Sequence, residues 1–265
     1  MTDTPAPRPP LDRDRLAAGS GSYAVEVLDS APSTNAVVAD RARQDDAPAG
    51  LVVVAEHQTA GRGRLDRVWE TPARSSVTVS VLLRPKAEAD RWPWLPLLTG
   101  LAVRDALPAA AEATLKWPND VLLGDLKVAG ILVERVDTPS GPAAVLGVGI
   151  NVTTTADELP VPTATSLAIE GHDVDRTDLL LAFLAALERH VAAWSAGRIA
   201  DAGLRAAYVE GSSTLGRDVQ VDIPSGETVS GRAIDIDEGG RLVVETSAGN
   251  TAVGAGDVIH VRPAG

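Results

Sequence analysis

The order of apolar and polar positions along the chain predicts a mixed α/β region followed by an all-β tail. Residues 23–29, YAVEVLD, alternate as a half-buried strand does, with successive side chains on opposite faces. After the turn SAPSTN, the segment AVVADRARQ at 36–44 reads as a short helix that Ser33 or Thr34 could cap. Two β-branched runs follow, LVVVAE at 51–56 and SSVTVSVLLR at 75–84, with a glycine- and arginine-rich loop between them. The spacing predicts a helix over 92–107 with a proline-marked start. The stretch ATLKWPNDVLLGDLKVAGILVERV at 113–136 predicts strands joined by a turn at Gly124-Asp125, and AAVLGVGIN at 143–151 a buried strand. Helical periodicity returns over 175–194 and 198–209. From about Ser213 it disappears. Four or five short strands separated by PSG, EGG and AGN turns predict a small β-barrel or sandwich.

These patterns divide the chain into a lead-in (1–22), a large α/β domain (23–211) and a small β domain (212–265). The lead-in MTDTPAPRPPLDRDR is proline-rich and charged, without the apolar core of a secretion signal, and is expected to be disordered. A β domain of roughly 50 residues is small for independent stability and is expected to dock on its larger neighbour. The chain has no cysteine, which excludes a disulfide scaffold, a thiolate metal site and thioester chemistry. Its formal charge of −12 opposes general nucleic-acid binding. No run reaches the roughly 18 uninterrupted apolar residues of a membrane helix, so a cytoplasmic protein with no membrane partner is expected.

Against that acidic background, GRGRLDRVW at 61–69 gathers positive charge on a glycine-rich loop. Gly61 and Gly63 permit backbone geometry closed to other residues, while Arg62, Arg64 and Arg67 offer forked donors for carboxylate or phosphate oxygens. The loop is either a solvated segment anchored by Trp69 or a flap for a small anion, with the indole packed on the ligand. Three neighbouring arginines repel one another, so such a flap is expected to be disordered until an anion arrives. KWPND at 116–120 is a well-built turn in which Asn119 can bond its own backbone, and Asp120 could also help hold magnesium between phosphates. Lys127 opens the apolar run KVAGIL and either snorkels to solvent or serves a bound anion. Gly130 would let a ligand approach the backbone. GVGIN ends at Asn151, an amide with directional hydrogen bonding. The STN triplet at 33–35 suits either a helix cap or a small polar head group of urea type.

Taken in order, STN, HQTAGRGR with its following tryptophan, KWPND, KVAGIL and GVGIN resemble the biotin protein ligases, the biotin-acetyl-CoA-carboxylase synthetases, from about residue 23 to the carboxyl end. The resemblance implies a mixed β-sheet flanked by helices, related to class II aminoacyl-tRNA synthetases, plus a carboxyl-terminal SH3-like β-barrel. It implies that Ser33, Thr34 and Gln58 hold the ureido ring of biotin with Asn35 in support. Gly61, Arg62, Gly63 and Arg64 would close over biotin and the α-phosphate of ATP, with Gly130 giving biotin room. Lys127 would sit between biotin carboxylate and α-phosphate, making Lys127, Arg62, Arg64 and Arg67 the catalytic cations. Arg67, Lys116 and Asn119 would serve the nucleotide, Trp69 and Asn151 its adenine, and Asp120 the Mg2+ side. The implied reaction joins biotin to Mg-ATP as biotinyl-5′-AMP with release of pyrophosphate, then transfers biotin to a lysine of the biotin carboxyl carrier protein. Fewer than about 25 residues precede the first strand, too few for a folded operator-binding domain, so a ligase without repressor activity or DNA binding is expected. The rival readings are a lipoate-protein ligase with similar adenylate chemistry and a non-catalytic biotin-sensing module.

Overall fold

The structure, a computed structural model, describes residues 8–44, 47–65, 67–224 and 226–260, without the side chains of 198–200. In chain order its elements are α1 (Arg13–Gly19), β1 (Ala24–Leu28), α2 (Thr34–Arg43), β2 (Leu51–Ala55), β3 (Ser76–Leu83), α3 (Trp94–Ala106), β4 (Thr114–Lys116), β5 (Asp120–Leu123), β6 (Leu126–Thr138), β7 (Gly141–Asn151), α4 (Arg176–Ser195) and α5 (Arg198–Glu210). Five further strands follow: β8 (Asp218–Asp222), β9 (Thr228–Ile236), β10 (Leu242–Thr246), β11 (Gly249–Val253) and β12 (Asp257–His260). Strands β1 to β7 form one sheet in the order β1-β2-β3-β7-β6-β5-β4. β1 and β2 run parallel, and every other neighbouring pair is antiparallel.

Both faces of this sheet are covered, which is why its central strands carry few charges. Val77, Val79 and Val81 of β3 and Leu146, Val148 and Ile150 of β7 share a buried core with α3 and α4. The alternate positions face α2. There, Leu82, Val145 and Val53 pack against Val38, Ala39 and Ala42. Towards the other end of the same face lie the polar residues Thr78 and Ser80 of β3 and the glycines Gly147 and Gly149 of β7. A strictly alternating strand therefore separates an oily face from a polar, glycine-lined one.

The lead-in departs from expectation. Residues 1–7 lie outside the described residues, but residues 8–22 are ordered rather than disordered. Asp12 caps α1 by accepting from Arg15 N at 3.0 Å, and Leu16 is buried. Leu11 N donates to Glu56 Oε1 at 2.7 Å, Arg8 pairs with Glu158, and Arg176 Nη2 donates to Pro9 O at 2.7 Å. These contacts supply the ordering free energy that composition alone does not reveal.

The tail forms a second, five-stranded antiparallel sheet in the order β11-β10-β9-β8-β12. Among the described residues β11 and β12 do not pair with each other, so the closed SH3-like barrel expected from sequence is not observed. The sheet docks through its 238–240 turn. Trp94 Nε1 donates to Glu238 O at 2.7 Å and Trp117 Nε1 to Gly240 O at 3.1 Å. Gly240 has φ +78°, and a side chain there would press on Leu97 and the Pro93 carbonyl.

His260, on β12, is half-buried at the same junction. Nε2 lies 3.3 Å from Thr214 Oγ1 and Nδ1 lies 3.4 Å from Arg217 Nη1. Because arginine only donates, Nδ1 accepts and Nε2 carries the proton. Burial, then Lys116 and Arg217, push the imidazole from 6.5 down to about 4, against a smaller opposing pull from Asp125. The folded state thus holds the neutral ring, and the stability this brings is complete above about pH 6.5 and lost as pH falls towards 4. His260→Asn is expected to flatten the fall in Tm between pH 6.5 and 4; parallel Tm curves for the two proteins would refute this.

Candidate site beneath helix α2 and the basic loop

The head of the site is built where α2 begins. Ser33 occupies the N-cap position, yet its side chain makes no capping hydrogen bond. The cap comes instead from Gln58, whose Oε1 accepts from Thr34 N at 2.8 Å and from Thr34 Oγ1 at 3.1 Å. With its oxygen so engaged, Gln58 turns Nε2 towards Gly61, where a Cβ would lie 2.8 Å away. Ser80 Oγ lies 2.8 Å from Thr34 Oγ1 and donates to Asn35 Oδ1 at 2.6 Å. Asn35 Nδ2 donates to Glu134 Oε2 at 2.7 Å and to Leu132 O at 3.2 Å. A Cβ on Gly147 would lie 2.2 Å from Asn35 Oδ1, so glycine is what admits this side chain.

The floor continues along β6 and β7. Gly130 and Gly149 face each other in the register, and the Trp69 indole lies on both. Cβ atoms there would come within 3.0 and 2.4 Å of the ring. Lys127 Nζ sits 5.8 Å from the same ring centroid, a cation–π contact, and 2.6 Å from Asp120 Oδ1. Asp120 Oδ1 is therefore engaged by the ammonium. Trp69 Nε1 and Asn151 Oδ1 are buried without hydrogen-bond partners among the described residues, while Asn151 Nδ2 donates to Thr165 O at 2.9 Å. One unused donor and one unused acceptor beside the Lys127–Asp120 pair are a place for a polar planar ligand. Gly149→Ala is expected to lift Trp69 off the floor, costing about 1–3 kcal/mol as an overpacked contact. A lower Tm with altered tryptophan emission would show it, and an unchanged pair of readings would refute it.

In the basic loop the described residues 61–65 and 67–69 are held by hydrogen bonds, not disordered as the charge suggested, and Asp66 lies outside the described residues. Gly63 N donates to Arg67 O at 2.6 Å and Trp69 N to Gly61 O at 2.9 Å, closing a small hairpin. The expected mutual repulsion is offset by partners. Arg62 pairs with Glu134 at 3.1 Å, Arg67 with Asp257 of the small sheet, and Arg64 donates to Asn119 Oδ1 at 3.0 Å and Gly256 O at 3.3 Å. Burial pulls the Arg64 guanidinium below its usual range, opposed by Asp257 and Asp120 and reinforced by Arg67. An open cavity of about 670 Å³ runs along the loop, walled by Pro96, Leu97, Trp117, Ile131 and Glu134 and by Gly254 of the small sheet; Lys127 and Thr34 are not in its wall.

Most of the residues singled out in the sequence are therefore brought together: Thr34, Asn35, Gln58 and Gly61 at the head, with Ser33 at the helix start, and Trp69, Asp120, Lys127, Gly130 and Asn151 on the floor. Lys116 is the exception. It faces Asp120 in the β4–β5 register and acts on His260, but makes no hydrogen bond or ion pair among the described residues. Ser80, Glu134 and Asp257 take part without having been singled out.

Two family profiles match the chain: the biotin/lipoate A/B protein ligase family over residues 27–151 and the biotin protein ligase C terminal domain over residues 214–261. The biotin--[acetyl-CoA-carboxylase] ligase of Mycobacterium tuberculosis is 42% identical over 274 residues, covering 99% of this chain and 100% of that protein. The bifunctional ligase/repressor BirA of Bacillus subtilis is 32% identical across 88% of this chain and 72% of its own length. Among solved structures, the biotin protein ligase from Aquifex aeolicus in complex with biotin and ATP superposes with a TM-score of 0.74 at 28% identity, covering 90% of this chain and 98% of that one. A relationship that spans both sheets and the full length of the Mycobacterium tuberculosis ligase places the chain in the biotin protein ligase family.

Proposed function

We propose that this protein activates biotin with ATP to biotinyl-5′-AMP, releasing pyrophosphate, and passes the biotin to a lysine of a biotin carboxyl carrier protein. The observation that carries the reading is the floor at Gly130 and Gly149, where a lysine, an indole and the unpartnered buried Asn151 Oδ1 meet. Thr34 and Gln58 suit the ureido ring: Gln58 Nε2 supplies a donor for the ring carbonyl, and the hydroxyls of Ser33 and Thr34 supply further polar contacts, with Asn35 in support. Trp69 and Asn151 suit adenine, one through its face and the other through an acceptor for an amino group.

Joining two acids requires that their repulsion be cancelled. At about 4 Å and an effective dielectric near 20, one cation contributes roughly 4 kcal/mol towards a neighbouring anion. Lys127 takes the position between biotin carboxylate and α-phosphate, and Arg62, Arg64 and Arg67 neutralise the phosphates from the loop. Arg64 and Arg67 would then exchange their present carbonyl or carboxylate partners for phosphate oxygens, while Arg62 has N–H groups to spare beyond its contact with Glu134. Magnesium would be held by Asp120, a hard oxygen donor, together with nucleotide phosphates and water, and would supply charge neutralisation there. Transfer needs no enzyme nucleophile, since the acceptor amine attacks the acyl carbon of the mixed anhydride directly, breaking its acyl–oxygen bond to release AMP and giving up a proton.

The test is pyrophosphate exchange into ATP by the purified chain, with biotin or lipoate, followed by transfer of labelled biotin to a carrier domain. Biotin-dependent exchange and transfer are expected. Exchange with lipoate alone would assign the site to the rival acid, and biotin binding without exchange would make the protein a sensor.

A further inference from the structure

We infer that Glu134 is a positioning residue that ties the ureido end of the pocket to the basic loop, a role that rests on the biotin-ligase reading of the site. Glu134 Oε2 accepts from two groups at once, Asn35 Nδ2 at 2.7 Å and Arg62 Nη2 at 3.1 Å. The first of these is fixed. Asn35 is buried, held by Ser80 at 2.6 Å and fitted into the space left by Gly147. The second belongs to the loop, whose front arm has Arg62–Glu134 as its ion pair to the large domain among the described residues. The rear arm is held separately through Arg64 and Arg67.

A continuous polar chain results: Gln58, Thr34, Ser80, Asn35, Glu134, Arg62. Every group in it that is expected to read the vitamin head is thus linked to the first arginine of the flap. The Glu134 contact uses one of the five N–H groups of Arg62 and leaves the others for an incoming carboxylate. Arg62 can therefore keep its anchor and meet the ligand, which distinguishes positioning from competition. Removing the anchor loosens the arginine in the free protein, so ordering it costs the substrate complex and the transition state equally and the effect falls on biotin KM rather than on kcat.

Glu134→Ala in the full chain is expected to raise the biotin KM by about threefold to tenfold, the pair being partly exposed, with kcat little changed. It is also expected to speed tryptic cleavage after Arg62 and Arg64 in ligand-free protein, a readout that needs no catalysis. Glu134→Gln, which keeps an acceptor for Asn35 but not the charge for Arg62, should fall between. In an Arg62→Ala background the Glu134→Ala shift should vanish. The inference is overturned if Glu134→Ala changes neither KM nor cleavage, or if its KM shift persists undiminished without Arg62. A wild-type chain that shows no biotin-dependent exchange fails the ligase reading instead, and the cleavage comparison still decides whether Glu134 holds the loop.

Discussion

Lys127→Ala is expected to lower biotin-dependent ATP–pyrophosphate exchange by about 100- to 1,000-fold, the scale lost when one preorganised charge-stabilising group is removed. Lys127 holds the floor position beside both Asp120 and the Trp69 ring, where a partly buried charge acts more strongly than in open water. The three arginines remain in the variant, which keeps the loss below what complete removal of positive charge would produce. Lys127→Arg should recover only part of the rate, because a planar fork does not reproduce a compact ammonium between two ligand oxygens. The side chain is about one-third exposed, so the fold should tolerate its truncation. Exchange within about threefold of wild type, with an unchanged Tm, would remove Lys127 from the reaction.

Arg176→Met is expected to cost about 3–5 kcal/mol of unfolding free energy, because it strands a buried carboxylate. Arg176 and Glu56 form a 2.7 Å pair whose side chains are 6% and 5% exposed. The pair is a junction, not an isolated contact: Glu56 also accepts from Leu11 N, and Arg176 donates to Ser76 O at 3.2 Å and to Pro9 O. Three segments, the lead-in, the end of β2 and the start of α4, are joined at one point. Combining Glu56→Gln with Arg176→Met should restore part of the loss by removing the stranded charge. Denaturant unfolding of the wild type, the single variant and the double variant measures this, and a loss below about 1 kcal/mol in the single variant would contradict the burial argument.

The strands and helices of the large sheet were legible because their periods are strong and their runs long. SSVTVSVLLR and AAVLGVGIN each display two faces in the letters themselves. What alternation does not reveal is what lies over the polar face. A serine such as Ser80 in a two-faced strand reads as solvent-facing, and only the placement of α2 turns it into a buried member of the site. Glu134 was hidden in the same way, as one charge in the ordinary run ILVERV. Helix α1 was missed because its seven residues carry a single buried anchor, Leu16, and its order draws on contacts with other elements, Arg13 with Val27 O of β1 and Arg15 with Asp178 of α4. The loop shows the converse. Its three positive charges were plain, but the acids that neutralise them come from β6 and from the distant β12, a pairing that no local pattern contains.

The alternation of missing side chains on β7 sets a limit on redesign. Gly147 and Gly149 have already been reduced to bare main chain beneath Asn35 and Trp69. A pocket that reaches its depth by omission cannot be deepened from below, so a version that takes a bulkier acid has to be carved from the ceiling, at the helix start or the flap.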